Sequence, residues 1–235
     1  MAEADGKRKG QIRAVIFDMD GTLLDTLPDI TAAFNSVFAA RGLRQFTLDE
    51  FRHFVGNGLR HAMESALDSC GVEQVSPDEL EQMMEVMVKI YSANPTDKTV
   101  PYDGMPEIIT MLNQAGIPLA VHSNKLHDLT ERIIRHFFPD YTTLFTEVLG
   151  KSDRFPLKPA PDATRFLMEQ MGSGPDETLM IGDTSVDYRT AEAAGCRSMT
   201  VSWGFRTAEE LAADGCVPLI SSVEELAAVL KREIG

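Results

Sequence analysis

The sequence predicts an α/β protein in which a doubly wound, Rossmann-like parallel sheet carries an inserted α-helical domain. Two patterns along the chain indicate this fold class. Short apolar runs alternate with helical segments over most of the chain, and one stretch near the N-terminus shows helical patterns alone. Alternating strands and helices favour a parallel sheet that is covered by helices on both faces. The length of 235 residues accommodates such a core together with a smaller companion domain.

Four short runs are apolar on both alternating faces, as expected for strands buried inside a parallel sheet. The predicted strands are residues 13–18, 117–123, 178–183 and 197–202. Periodic apolar positions predict helices at residues 106–115, 126–137, 161–171 and 186–194, and Gly195 closes the last of these.

The alternation is interrupted between residue 28 and about residue 94, where three apolar stripes at helical spacing occur without a convincing strand. The third stripe is rich in methionine, and we interpret it as the core of a helical bundle rather than as an adaptable binding surface. We therefore predict a helical insertion at residues 28–96, a sheet-containing core at 12–27 and 97–235, and a flexible leader at 1–11.

The composition restricts the partners. A formal net charge of −14 disfavours nucleic acid and anionic membranes, because both bind clustered Lys and Arg. No apolar run approaches the roughly 20 residues that span a bilayer, and the N-terminus lacks a secretory signal pattern. The three cysteines have no metal-type spacing, which predicts free thiols in a reducing cytoplasm. An anionic substrate would need a local site of opposite charge, which a bound divalent cation provides.

Polar side chains cluster where the predicted strands end. In an open α/β sheet, ligands bind at the carboxyl ends of the strands, so side chains at these positions are expected to share one site. The residues at such strand ends, or at the start of a helix that leads to one, are Asp18, Asp20, Ser123, Asn124, Lys158, Asp183 and Asp187.

The segment Asp18-Met19-Asp20-Gly21-Thr22 places two carboxylates close together, and its glycine permits a sharp exit from the strand. Two such carboxylates raise one another's pKa unless a cation neutralises them. Hard oxygen ligands favour Mg²⁺. Asp183 and Asp187, one helical turn apart, supply further candidate ligands. Taken singly, these segments are also compatible with an acidic turn or with a helix N-cap.

Ser123 and Asn124 lie at a predicted strand-to-helix junction, where a hydroxyl and backbone N–H groups can bind a phosphoryl oxygen. The alternative is an ordinary helix cap. Lys158 offers a cation at the start of a helical segment, although an isolated lysine is usually a solvated surface charge. Lys151 is a second candidate for the cationic role, and the proline that follows Lys158 favours Lys158.

Together, the order and the placement of these four segments closely resemble the motifs of the haloacid dehalogenase superfamily. The resemblance extends from Ala14 to the C-terminus, and the helical insertion is similar to the type-one helical cap of that superfamily. Residues 56–58 (Gly-Asn-Gly), 101–104 (Pro-Tyr-Asp-Gly) and 203–205 (Trp-Gly-Phe) are similar to its phosphoglycolate phosphatase branch. Neighbouring sugar-phosphate phosphatases share these three segments.

The resemblance implies a Mg²⁺-dependent phosphatase in which Asp18 attacks phosphorus and forms an aspartyl-phosphate. It implies that Asp20 protonates the leaving group and then activates the hydrolytic water. The implied Mg²⁺ ligands are Asp18, the backbone carbonyl of Asp20 and Asp183, with Asp187 as a further ligand or as a partner of one.

The resemblance also implies roles around the phosphoryl group and the substrate. Ser123 donates to a phosphoryl oxygen, and Lys158 stabilises the developing charge. Thr22 and Asn124 are expected to contact the substrate, as are the cap residues Gly56, Asn57, Gly58 and Arg60.

The cap residues carry the substrate prediction. The glycines allow the backbone to approach a ligand, and Arg60 pairs with a substrate carboxylate, unless it simply begins a helix in solvent. We therefore predict a small phosphorylated metabolite such as 2-phosphoglycolate as the substrate. Separately, we expect the protein to be a monomer or a homodimer.

Several alternatives stay open at this point. Asp20 argues against a dehalogenase, and the late position of Lys89 in the cap argues against a phosphonate-cleaving enzyme with a Schiff-base lysine. A beta-phosphoglucomutase-like phosphotransferase, a sugar-phosphate phosphatase and a pyrophosphatase are compatible with the carboxylate pair. An inactive phosphate-binding protein or a phospho-accepting signalling module is the alternative outside enzymes, since a fold alone does not establish activity.

Overall fold

The computed structural model describes residues 10–56, 58–72 and 74–234. Its centre is a six-stranded sheet in which all neighbouring strands are parallel. The six strands are β1 (Ala14–Phe17), β4 (Leu119–Leu126), β5 (Glu147–Lys151), β6 (Thr178–Gly182), β7 (Arg197–Val201) and β8 (Leu219–Ile220), and their order across the sheet is β5-β4-β1-β6-β7-β8. The short strands β2 (Leu24–Asp25) and β3 (Val100–Pro101) form a separate antiparallel pair.

The helices fall into two groups. The first group lies between β2 and β3 and comprises α1 (Leu27–Ala39), α2 (Leu48–Phe51), α3 (Leu59–Ser69) and α4 (Pro77–Ala93). The second group alternates with the strands of the sheet and comprises α5 (Met105–Gln114), α6 (His127–Phe137), α7 (Tyr141–Leu144), α8 (Asp162–Gln170), α9 (Ser185–Ala194), α10 (Ala208–Ala213) and α11 (Val223–Ile234), together with a short 3₁₀ turn at Pro175–Glu177.

Strand β1 lies in the middle of the sheet, and the side chains on both of its faces are apolar. Val15 and Phe17 pack into a core shared with α5, α6 and α11, whereas Ala14 and Ile16 pack into a second core with α8 and α9. All four side chains are fully buried, as expected for a parallel strand covered on both faces. The chain runs outward from β4 to β5 on one side of β1 and returns through β6 on the other. The topological switch point, where such sheets bind ligands, therefore lies at the end of β1.

The helical insertion has a core of its own that is continuous with the core on one face of the sheet. Five phenylalanine rings pack together within it, with ring centroids 4.7 Å apart for Phe34 and Phe51. Met83 and Met87 of the methionine-rich stripe are buried, which agrees with a bundle core rather than an exposed surface. The five rings belong to Phe34, Phe38, Phe46, Phe51 and Phe54.

A buried carboxylate joins the two segments that connect the insertion to the sheet. Asp29, in the first turn of α1, accepts hydrogen bonds from the backbone N–H groups of Lys98 and Thr99 at 2.9 and 2.8 Å, and from the Thr99 hydroxyl at 2.8 Å. The entry and the exit of the insertion are therefore held side by side.

The predicted fold class is confirmed. The four predicted strands and the four predicted helices of the sheet region are present, with ends that differ by a few residues. The sequence patterns did not predict β5, β8, the β2–β3 pair or the helices α7, α10 and α11. No helix among the described residues has the length and apolar character needed to cross a bilayer. Residues 1–9 of the predicted leader lie outside the described residues.

Candidate active site

Two neighbouring strands bring the acidic segments together. Asp18 follows β1 directly, and its N–H donates to the Ile181 carbonyl at 2.8 Å, so it stays in register with β6. Asp183 follows β6 directly and is fully buried. Gly21 turns the chain with a φ of +80°, and a side chain here would collide with the Asp183 carboxylate. The sheet therefore places two carboxylates side by side at the switch point.

Three buried carboxylates converge at this point. Asp18, Asp183 and Asp187 each present a carboxylate oxygen, and these oxygens lie within 4.8 Å of one another. Asp183 is held by the N–H of Phe205 at 2.7 Å and by the hydroxyl of Thr22 at 3.3 Å. These donors fix the orientation of the carboxylate before any ligand binds.

Asp187 has a second task at the start of α9. Its carboxylate accepts the N–H and the hydroxyl of Thr184 at 3.2 and 2.7 Å, which completes a capping box. Asp187 is therefore both a helix-capping residue and a member of the acidic cluster. One of its oxygens caps α9, and the other contacts Lys158.

Lys158 is the cation that contacts this cluster. Its Nζ lies 2.8 Å from Asp18 Oδ1 and 2.6 Å from Asp187 Oδ1, and the side chain is 2% exposed. The Asn124 amide pairs with the Lys158 backbone, accepting its N–H at 2.9 Å and donating to its carbonyl at 3.2 Å. Lys151 is exposed and lies beside different cavities. Of the two candidate lysines, the structure therefore places Lys158 against the carboxylates.

The pKa values of the carboxylates reflect their burial and the negative charges beside them. Burial raises the pKa of Asp18 well above its ordinary value, and Asp187 and Asp183 raise it further against the opposing effect of Lys158. Burial and the neighbouring Asp187 raise the pKa of Asp183 to about 7. Burial disfavours the charged form of Lys158, but Asp18 and Asp187 outweigh it and raise the pKa of that lysine. One cation does not balance three carboxylates.

This donor set fits a divalent metal ion. Three buried carboxylates with preset orientations provide hard oxygen ligands of the kind Mg²⁺ prefers. A divalent cation would supply the positive charge that Lys158 alone does not, and it would keep the carboxylates ionised.

Asp20 lies apart from the three clustered carboxylates and has partners of its own. Its Oδ1 accepts the Thr26 hydroxyl at 2.5 Å and pairs with Lys125 Nζ at 2.9 Å. Its Oδ2 lies 3.5 Å from the hydroxyl of Ser123. Lys125 in turn donates to the hydroxyl of Tyr91, a residue of α4 in the helical insertion.

A small cavity of about 50 Å³ opens beside Asp18 and Asp20. The sheet side of this cavity is polar and includes Ser123 and both buried lysines, whereas the helical insertion contributes mainly apolar walls. A second cavity of about 510 Å³ adjoins the first and shares some of its lining. The apolar wall consists of Ile30, Val55, Leu59 and Ala62, and the residues common to both cavities are Gly58, Leu59 and Asn124.

The residues expected to contact the substrate are placed differently from one another. Gly56 and Gly58 line the small cavity, whereas Asn57 lies outside the described residues. Arg60 forms an ion pair with Glu81 and faces the larger cavity, so the structure does not bring it to the Asp18 site. The Thr22 hydroxyl contacts Asp183.

Sequence reasoning missed Arg206, which follows directly after the residue that holds Asp183. Its guanidinium donates to the carbonyls of Arg52 at 2.6 Å and Val55 at 2.8 Å, and more distantly to His53 at 3.4 Å. The loop of the insertion that lines the cavity is therefore tied to the edge of the sheet. Tyr91 and Lys125 were also missed. None of the three has a local sequence pattern that indicates such contacts.

Comparison with known proteins adds four findings. A family model described as haloacid dehalogenase-like hydrolase matches residues 15–201. A phosphoglycolate phosphatase from Vibrio vulnificus (strain CMCP6) is 35% identical over 207 residues, which cover 86% of this chain and 89% of that protein. An inferred phosphoglycolate phosphatase from Lactobacillus delbrueckii subsp. bulgaricus has a crystal structure that superposes with a TM-score of 0.87 at 31% identity, covering 94% of this chain and 98% of that one. The crystal structure of CbbY from Rhodobacter sphaeroides in complex with phosphate gives a TM-score of 0.75 at 25% identity, covering 92% and 96%.

Proposed function

The chain belongs to the haloacid dehalogenase-like hydrolases and is a phosphatase, and we propose that it hydrolyses a small phosphomonoester through an aspartyl-phosphate on Asp18. We further propose that the reaction depends on Mg²⁺ and that 2-phosphoglycolate, or a similar small phosphometabolite, is the substrate. The observation that carries this proposal is the Asp18 carboxylate, which is buried beside Lys158 and two more carboxylates at the mouth of a cavity.

The reaction proceeds in two displacements at phosphorus. In the first, an Asp18 oxygen attacks, the bond between phosphorus and the leaving oxygen breaks, and Asp20 gives that oxygen a proton. In the second, Asp20 takes a proton from water, and the water oxygen attacks the same phosphorus. Inorganic phosphate leaves, and Asp18 is restored as a carboxylate.

The surrounding residues offset the charge that builds up in both steps. Lys158, 2.8 Å from Asp18, stabilises the nucleophile as a phosphoryl group with negative charge approaches. Ser123 is buried at the same edge and is positioned to donate to a phosphoryl oxygen. Asp18, Asp183, Asp187 and the backbone carbonyl of Asp20 would hold Mg²⁺, which when bound supplies charge neutralisation at the phosphoryl oxygens.

Two observations support a small substrate. The cavity beside Asp18 is small, about 50 Å³, which favours a compact substrate over a bulky one. The Vibrio vulnificus relative is named for activity on phosphoglycolate. Arg60 does not support this choice, because its partner is Glu81.

A sugar phosphate is the second candidate substrate. The larger cavity of about 510 Å³ begins at Asn124 and Gly58, where the small cavity ends, and polar side chains including Arg60 and Lys151 line it. A longer polar leaving group attached to a phosphoryl group at Asp18 would extend into this space.

A cytoplasmic location agrees with the cysteines. Cys70, Cys196 and Cys216 are all free thiols. Burial raises the pKa of Cys196 to about 12, which keeps it protonated and unreactive. Such thiols persist in a reducing compartment.

The test is phosphate release from a panel of phosphate esters, measured as kcat/KM with Mg²⁺ and with EDTA. The panel contains 2-phosphoglycolate, hexose phosphates, pyrophosphate and 4-nitrophenyl phosphate. We expect Mg²⁺-dependent turnover, with 2-phosphoglycolate preferred. Folded protein without turnover on any ester would contradict the proposed reaction, whereas a clear preference for hexose phosphates would select the second candidate.

A further inference from the structure

We propose that Lys125 is a positioning residue for Asp20 and that Tyr91, from the helical insertion, holds Lys125 in place. Proton transfer to the leaving group then depends on the insertion being seated on the sheet. This inference rests on the proposed function, because it assigns Asp20 the part of proton donor. It adds two residues that the reaction described above does not use.

The two oxygens of Asp20 have different surroundings. Oδ1 is engaged by two donors, the Thr26 hydroxyl at 2.5 Å and Lys125 Nζ at 2.9 Å. Among the described residues, the polar contact of Oδ2 is the Ser123 hydroxyl at 3.5 Å, which is long for a hydrogen bond. Asp20 also lines the cavity beside Asp18. The carboxyl group is therefore anchored through Oδ1 and presents Oδ2 for proton exchange.

Lys125 is well suited to this anchoring because it is rigid and buried. Its side chain is 2% exposed, and its backbone N–H donates to the Ser123 hydroxyl at 3.1 Å at the end of β4. A buried ammonium needs partners, and this one has the carboxylate of Asp20 and the hydroxyl of Tyr91. Removing Lys125 would leave Thr26 as the donor to Oδ1, and the carboxyl group could then rotate.

Tyr91 connects this arrangement to the helical insertion. It lies in the last turn of α4, is 1% exposed, and its hydroxyl accepts a hydrogen bond from Lys125 Nζ at 2.9 Å. The ammonium also lies 4.6 Å from the centre of the tyrosine ring, within the range of a cation–π contact. A displacement of α4 would remove both contacts from Lys125. The orientation of Asp20 therefore depends on where the insertion lies.

The experiment separates proton donation from other roles through the leaving group. Lys125→Met and Tyr91→Phe are compared with wild type on 2,4-dinitrophenyl phosphate, whose leaving group needs no proton, and on alkyl phosphates, whose leaving groups do. The alkyl esters include one with a carboxylate, 2-phosphoglycolate, and one without, ethyl phosphate. The quantity measured is kcat/KM, because it reports the steps up to departure of the leaving group and excludes hydrolysis of the phosphoenzyme. Lys89→Met, an exposed lysine of α4, and Tyr141→Phe, a tyrosine of α7 whose hydroxyl contacts Arg135 and Glu131, are the matched controls.

We expect Lys125→Met to lose at least about tenfold in kcat/KM on both alkyl esters and less than about threefold on the dinitrophenyl ester, given that general acids contribute about 10²–10⁴-fold. Tyr91→Phe keeps the ring and its packing, so it is expected to fold normally and to show the same selectivity with a smaller loss. If Lys125→Met does not fold, the Tyr91→Phe variant alone tests whether these contacts position Asp20.

Other outcomes would overturn the proposal. An equal loss on all three esters would indicate a structural role for Lys125, and a loss confined to 2-phosphoglycolate would indicate that Lys125 binds the substrate carboxylate instead. If the Tyr91→Phe variant has the same kcat/KM as the wild type on every ester, the orientation of Asp20 does not depend on the helical insertion. If the wild-type protein hydrolyses none of the esters, the proposed function itself fails, which is a different result from any of these.

Discussion

Single side chains decide the chemistry of this site through their charge and their partners. Asp18, Asp183 and Asp187 share one buried position, and Lys158 is the cation that touches two of them. Asp20 is separated from them and is paired with its own lysine. The geometry therefore divides the carboxylates into a cluster suited to a metal and a nucleophile, and a single carboxyl group suited to proton transfer.

Replacing Asp18 by asparagine tests the nucleophile. The change keeps the size of the side chain but replaces the negatively charged carboxylate by a neutral, poorly nucleophilic amide. We therefore expect turnover of 4-nitrophenyl phosphate to fall by at least about 10³-fold, or about 4 kcal/mol of barrier. Mass spectrometry of acid-quenched reactions should find a phosphorylated peptide containing Asp18 in the wild type and none in the variant.

The control for this change is Asp140→Asn, an exposed aspartate at the start of α7, which should retain wild-type turnover. Circular dichroism establishes that Asp18→Asn is folded. Activity within about tenfold of wild type, equal to about 1.4 kcal/mol of barrier, would contradict the assignment of Asp18 as nucleophile.

The residues that the structure brings together were predictable to different degrees. Asp18 and Asp183 end apolar strands, and the convergence of strand ends in a parallel sheet is general enough to place them in one site from sequence. Lys125 and Tyr91 are separated by 34 residues, and their contact depends on how α4 packs on the sheet. Arg60 was expected to contact the substrate, but in the structure it forms an ion pair with Glu81 of α4. The residues that form contacts between the insertion and the sheet do not recur at a regular spacing in the sequence, so a sequence pattern does not predict these contacts.

At the scale of elements, a loop of the insertion and a loop of the sheet are joined at the cavity. Phe205 donates its N–H to Asp183, and the next residue, Arg206, binds the carbonyls of Arg52 and Val55. The same short segment thus holds a carboxylate of the acidic cluster and the wall of the cavity. A second link lies nearby, where His53 pairs with Glu210 of α10 at 3.1 Å.

Arg206→Lys is expected to release this loop without unfolding the protein. A lysine ammonium is a compact charge and does not reproduce the forked donors of a guanidinium, so at least one carbonyl loses its partner. Hydrogen bonds to charged groups contribute about 1.5–3 kcal/mol, so amide hydrogen exchange of residues 52–56 should become at least about tenfold faster. Hydrogen-exchange mass spectrometry measures this, and kcat/KM should fall in parallel.

Arg13→Lys is the matched control, because Arg13 is largely exposed and its contact with Glu177 is a long surface pair of 3.9 Å. It should leave exchange in residues 52–56 unchanged. Unchanged exchange in Arg206→Lys as well would show that packing alone holds the loop.

Several long and periodic elements were predicted, although the 12-residue helix α11 was not. The buried strands β1 and β6 and helices such as α5 have uninterrupted patterns. The edge strand β5 contains a glycine and is only partly buried, and β8 has two residues, so neither contains enough apolar sequence to be detected. The β2–β3 pair is equally short and forms only because the two connecting segments meet.

At the scale of the whole molecule, an acidic protein binds an anionic substrate by concentrating cations in one place. The net charge is −14, yet the lysines at positions 125 and 158 are both buried at the switch point of the sheet. These two charges do not neutralise the four carboxylates there. Burial, and after it the neighbouring carboxylates, raises the pKa of Asp18 and of Asp183. The folded protein without metal therefore retains protons that the unfolded chain would release.

This retention gives the metal-free protein a definite pH dependence. The pKa of Asp183 is raised from 3.8 to about 7 by burial and by Asp187. Below 3.8 the carboxyl group is protonated in both states, so it has no effect on stability. Between the two values the folded state holds a proton that the unfolded state has lost, so its stability falls as the pH rises, and above about 7 the loss is complete.

Binding of Mg²⁺ should reverse this loss, and its effect should therefore grow with pH. Ionised carboxylates are the ligands, so at about pH 5.5 the metal competes with a proton, whereas at about pH 8 it does not. At a concentration 100 times the Kd, binding stabilises the folded state by about 2.7 kcal/mol, which is a rise in Tm of about 5–10 °C for a chain of this size. We expect a rise of this order at the higher pH and a clearly smaller one at the lower pH. Differential scanning fluorimetry with MgCl₂ against NaCl of equal ionic strength measures the difference, and Asp183→Asn should abolish it. An equal shift at both pH values, or none at the higher pH, would mean that the three clustered carboxylates are not the metal site.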